Sequence, residues 1–84
     1  MQDLEKLRRG ILDIFIERFD TRLASDQVDL IEERLVDSVR LVDLVLEIEQ
    51  RFGVTLAFEE LEIEDFRTVS CIAERIARST PAGP

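Results

Sequence analysis

The chain has 84 residues, 45% of them hydrophobic and 36% charged, and it is too small to hold a deep substrate cleft beside a separate cofactor domain. It has no histidine and only one cysteine, which removes Ser–His and Cys–His nucleophiles, an internal disulfide and a cysteine zinc site, and points to a reducing, cytoplasmic setting. The net charge of −8 opposes phosphate backbones and anionic membrane surfaces, so neither nucleic acid binding nor membrane insertion is expected.

The opening MQDLEKLRRG is charged throughout and does not resemble a secretory leader. Asp3 is placed to cap a first helix running to about Asp20. Leu4, Leu7, Ile11, Ile14 and Phe15 fall on one face of it, and Leu12, Ile16 and Phe19 widen that face, so heavy burial is expected. Gly10 costs this helix about 1 kcal/mol relative to alanine; it either permits a close crossing or is a tolerated defect.

Residues 21–37 lack sustained periodicity. They read as a long loop pinned to the core at Leu30-Ile31 and Leu35-Val36. A second helix follows from about Ser38 to Phe52, with Gly53 at its end. Leu41, Leu44, Val45, Ile48 and Phe52 form its core stripe. Val39, Val42 and Leu46 form a second stripe, flanked by Asp43, Glu47, Glu49 and Gln50. That stripe is either packed under a loop or exposed for a partner.

Val54 to Phe58 is β-prone but has no evident partner strand, so it reads as extended or turn. A short helix is expected around Leu61–Asp65. Thr68 then caps a last helix to about Ser79 that buries Val69, Ile72, Ala73, Ile76 and Ala77. The fold class is therefore all-α: three main helices plus one short one in a single domain, residues 1–79, with residues 80–84 as a flexible tail.

Charge is unevenly distributed. Residues 23–65 carry thirteen acids against three bases, whereas residues 1–22 are balanced at five each. This acidity is either a solvated surface or a docking face for basic partners.

Catalytic constellations are mostly absent, and no metal-ligand cluster is visible. Cys71, near the start of the last helix, is either a packing residue or a thiol activated by the helix terminus. Ser38 stands at the junction of the long loop and the second helix. Either Asp37 or Ser38 could cap that helix. A hydroxyl there could also be modified by another enzyme, because a helix N-terminus favours an attached phosphate. The neighbouring carboxylate of Asp37 could then help bind a metal ion held by that enzyme.

The run VDLIEERLVDSVRLVDLVLEIEQRFGVTL, with the later DFRTVSCIAERI, resembles the acyl carrier protein family over residues 4–78. In that family an Asp-Ser followed by an aliphatic residue opens the second helix. The resemblance implies that Ser38, beside Asp37, carries 4′-phosphopantetheine derived from coenzyme A, whose thiol holds acyl or aminoacyl groups as thioesters. It implies a monomeric carrier rather than an enzyme. Expected partners are a phosphopantetheinyl transferase, an adenylating acyl or aminoacyl ligase, and acyltransferase or synthase enzymes. It also makes the exposed side of the second helix the docking surface: Val39, Val42, Asp43, Leu46, Glu47 and Glu49. Leu35-Val36-Asp37-Ser38 and Phe66-Arg67-Thr68-Val69 look most like discrete carriers loaded by adenylating ligases, such as the D-alanyl carriers of teichoic-acid modification. The alternative is an acidic helical interaction module in which Ser38 is only a cap.

Overall fold

The computed structural model describes residues 3–81. Three helices form where the sequence supplies both an apolar stripe and a cap: α1 (Leu4–Phe19), α2 (Ser38–Phe52) and α3 (Val69–Ala77). Asp3 caps α1 by accepting from the Glu5 N–H, Asp37 caps α2, and Thr68 caps α3 by accepting from the Cys71 N–H. Helix α2 ends at Gly53, whose φ of 63° is the left-handed conformation that glycine adopts without steric cost.

Helix α1 packs chiefly on α3, and α2 contributes its apolar stripe to the same core. The shared core takes Leu7, Ile11, Ile14 and Phe15 from α1, Leu41, Leu44, Val45 and Ile48 from α2, and Val69, Ile72, Ala73 and Ile76 from α3. Several residues expected inside are not fully buried. Ile16 is 38% exposed, Ala77 is exposed and Phe52 is half-buried. Ile16 and Ala77 lie at the edges of their apolar arcs, whereas Phe52 lies on the core stripe but is the last residue of α2. Leu4 is also exposed, because it begins α1.

Phe52 has a specific seat. A Cβ built on Gly10 would lie 2.6 Å from its Cζ, so the missing side chain of Gly10 admits the edge of the ring. Gly10 thus makes room for a side chain of α2 rather than for a close approach of the two helix backbones.

The link from α2 to α3 differs from expectation. In place of one short helix it has two 3-10 turns, Phe58–Glu60 and Ile63–Phe66, the latter closed by reciprocal bonds between Glu62 and Asp65. Phe66 is fully buried. Strand β1 (Val54–Thr55) does have a partner. It pairs antiparallel with β2 (Thr80–Pro81), in register Val54 to Pro81 and Thr55 to Thr80. The expected tail thus begins inside this two-residue ladder, and residues 82–84 lie outside the described residues. Val54 and Leu56 are buried with Thr55 exposed between them, which is the period-two pattern of a strand.

The loop between α1 and α2 is anchored by Leu30 and Val36, both buried, with Ile31 and Leu35 half-buried. Its turn is built on Leu30, whose carbonyl accepts from the N–H groups of Leu35 (2.8 Å) and Val36 (3.1 Å). No described helix is long and apolar enough to cross a membrane.

Candidate functional site

The loop delivers the chain directly into α2. Asp37 is extended, and its Oδ1 accepts from the Val39 N–H at 3.0 Å and the Arg40 N–H at 2.8 Å. Asp37 therefore fills the capping role. Ser38 is the first residue of the helix and is exposed, and among the described residues no hydrogen bond engages its hydroxyl. The aligned peptide dipoles make this end of α2 favourable for negative charge, by up to about 1 kcal/mol at an exposed position. A hydroxyl so placed can accept a phosphoryl group without breaking an internal contact.

Arg40, two residues on, braces the same corner. Its guanidinium lies 4.8 Å from the centroid of the Phe19 ring, and Phe19 meets Phe15 tilted at 60°, with ring centroids 5.4 Å apart. Its Nη1 reaches the Leu35 carbonyl at 3.5 Å. The start of α2 is thereby fastened to the end of α1, a role that the isolated charge in the sequence did not reveal.

The second stripe of α2 is open to solvent and is not packed under a loop. Val39 is 76% exposed, Leu46 53% and Val42 42%. The acids expected beside it separate into two kinds. Asp43 is exposed and forms no ion pair among the described residues. Glu47 lies between two arginines, with Arg18 Nε at 3.3 Å and Arg51 Nη2 at 3.3 Å; Arg51 Nη2 also holds Glu17 at 2.8 Å. These carboxylates, Glu17 first, raise the Arg51 pKa. Glu49 Oε2 accepts from the Leu56 N–H at 2.9 Å, tying the chain after Gly53 back to α2. Glu47 and Glu49 thus serve the fold, and sequence spacing alone could not separate them from Asp43.

Two shallow grooves flank the Leu46–Gln50 ridge. One, of about 340 Å³, is lined by Arg18, Phe19, Asp43, Leu46, Glu47 and Gln50. The other, of about 410 Å³, lies against Leu46, Glu49, Gln50, Val54 and Thr55. Among the described residues no group of three or more Asp, Glu, Cys or His side chains is arranged to hold a metal ion. Cys71 is half-buried, and its amide is spent on the Thr68 cap.

A three-helix fold with a serine opening its second helix is the architecture of a small carrier domain. The comparisons agree: residues 9–76 match the phosphopantetheine attachment site family, and the chain belongs to it. The D-alanyl carrier protein of Lactococcus lactis subsp. cremoris is 38% identical over 53 residues, covering 63% of this chain and 67% of the relative. The D-alanyl carrier protein of Bacillus velezensis is 27% identical over 73 residues, covering 84% and 94%. The protein is accordingly a carrier that holds acyl or aminoacyl groups on covalently attached 4′-phosphopantetheine, and it works with ligases and transferases.

Proposed function

We propose that Ser38 is the attachment point and that the cargo is a small aminoacyl group of the D-alanyl type. The observation that carries the attachment reading is the division of labour at the start of α2. Asp37 makes both capping bonds, so the Ser38 hydroxyl is left exposed at the favourable end of the helix. The alternative, in which Ser38 is only a cap, loses its basis there. The cargo reading rests on likeness to D-alanyl carrier proteins.

The residues present fit a phosphodiester. In the transfer from coenzyme A, the Ser38 oxygen forms a bond to the pantetheine-bearing phosphorus and the adenosine bisphosphate portion leaves. The serine proton passes to the transferase. Asp37, exposed beside it, can share a divalent cation with that enzyme. When bound, the arm supplies a terminal thiol that holds the aminoacyl group as a thioester.

The chain contributes presentation rather than catalysis, in the cytoplasm, where coenzyme A is available. Val39, Val42 and Leu46, with Asp43, form the face that meets a transferase and an adenylating ligase. Glu47 and Glu49 contribute by fixing the shape of that face. The test is intact mass after incubation with coenzyme A, magnesium and a phosphopantetheinyl transferase. Wild type gains one phosphopantetheine and Ser38→Ala gains none; equal modification of the alanine variant would refute the assignment. Subsequent loading by an adenylating ligase offered D-alanine, other amino acids or fatty acids identifies the cargo class.

A further inference from the structure

Away from α2, the most densely tied surface joins the α1–α2 loop to the approach to α3. Arg67 is at its centre. Its Nε and Nη2 donate to the two carboxylate oxygens of Glu64 at 2.6 and 2.8 Å, and its Nη1 donates to Asp29 Oδ2 at 2.7 Å. The other Asp29 oxygen accepts from the Glu32 N–H at 2.9 Å and so shapes the following turn. The backbone repeats the connection: the Leu30 N–H donates to the Arg67 carbonyl at 2.7 Å. One step earlier in the loop, the Asp26 carbonyl accepts from the Ser70 N–H at 3.2 Å, and Gln27 Nε2 donates to Ser70 Oγ at 2.7 Å.

These links lead toward Ser38. The Leu30 carbonyl accepts the amides of Leu35 and Val36, and the next residues are Asp37 and Ser38. Leu30 and Val36 bury their side chains. Between them Leu35 packs half-buried against the core, and residues 32–34, including Arg34 at φ 60°, are exposed. The polar links at Asp29 and Leu30 therefore set the path of the chain between the two anchors.

We propose that Arg67 and Asp29 are positioning residues for Ser38. The Arg67–Asp29 pair clasps the loop to the approach to α3 and holds it in the arrangement that a phosphopantetheinyl transferase binds. This rests on Ser38 being the attachment point. A fork of charge-assisted hydrogen bonds suits the task because it fixes direction as well as distance. If the enzyme binds only the ordered loop, loosening the clasp raises KM by the inverse of the ordered fraction and leaves kcat unchanged.

The experiment uses Asp29→Asn, which keeps an acceptor for the Glu32 amide, together with Arg67→Gln, the double variant, and Ile14→Val as a core change outside the clasp. Two quantities are measured: hydrogen exchange of the Leu30, Leu35 and Val36 amides in the apo protein, and the kinetics of conversion to the modified form by intact mass. Each single variant is expected to speed exchange at those amides and raise KM about three- to tenfold with kcat held. The double variant should match Arg67→Gln, because each single change already removes the Arg67–Asp29 bond and Arg67→Gln also releases Glu64. Arg67→Lys should recover part of the loss. Unchanged KM in Asp29→Asn and Arg67→Gln would overturn the proposal, as would an equal rise in KM in Ile14→Val. A wild-type chain that gains no phosphopantetheine would refute the attachment reading instead, and the exchange data would still show whether the clasp orders the loop.

Discussion

Helices α2 and α3 begin alike in sequence and unlike in structure. Each opens on a capping side chain, Asp37 or Thr68, and each has a serine within its first turn, Ser38 or Ser70. At α3 the serine is stitched to the loop, its amide to Asp26 and its hydroxyl to Gln27. At α2 the cap takes the neighbouring amides and the serine hydroxyl remains exposed. The difference shows that two helix N-termini of like sequence can commit their serines to the fold unequally, one hydroxyl bonded and the other left exposed.

The sharpest challenge to this contrast is modification itself. Ser38→Ala should abolish the gain of phosphopantetheine, whereas Ser70→Ala should still be modified to completion, both read by intact mass. Modification lost in both variants would erase the distinction.

Next in size are the caps. Asp37→Ala and Thr68→Ala should each lower stability by about 0.5–2 kcal/mol, seen in denaturant midpoints. Only Asp37→Ala should also slow modification, because Ser38 then becomes the nearest side chain able to cap α2.

A smaller effect is expected on the open face that follows Ser38. Asp43→Lys should leave melting nearly unchanged, since one exposed charge contributes within about 1 kcal/mol. It should slow encounter with a basic partner, and added salt should shrink the difference from wild type. Leu46→Ala should weaken the same encounter with less dependence on salt. Transferase kinetics at two ionic strengths check both. Wild-type rates in both variants would make the face a solubility feature.

The smallest effect belongs to the stitched end. The Glu32 amide first, and then Arg67, hold the Asp29 carboxyl below its ordinary value of 3.8, and Arg67 holds Glu64 below 4.5. Both groups bind protons more readily in the unfolded chain. Their contribution is complete above those ordinary values and fades as pH falls through them toward the lower folded values. Melting between pH 6 and 3 should therefore decline less steeply in an Asp29→Asn, Glu64→Gln double variant than in wild type. Parallel declines would remove the clasp from the acid response.

The helices are legible in the sequence because each combines an apolar period with a capping residue, and Ser38 is legible because it stands where loop gives way to helix. Phe52 is harder to read. Periodicity places it on the core stripe, but only the position of Gly10 decides how deep its ring sits. The β1–β2 ladder is illegible because two-residue strands carry almost no pattern and their partners are distant in the chain. The separation of Asp43 from Glu47 and Glu49 is equally hidden. It depends on Arg18, Arg51 and the Leu56 amide, which reach α2 only after folding.

The notch at Gly10 has a combinatorial consequence. A methyl group at position 10 needs the space now filled by the edge of the Phe52 ring, and the half-buried ring can yield only outward. The two positions therefore behave as one compound choice. A side chain gained at 10 is met either by an outward turn of the Phe52 ring or, with less displacement, by a smaller residue at 52. A library that randomises both positions together and selects for folding should return coupled solutions, small with large, and few in which both are bulky.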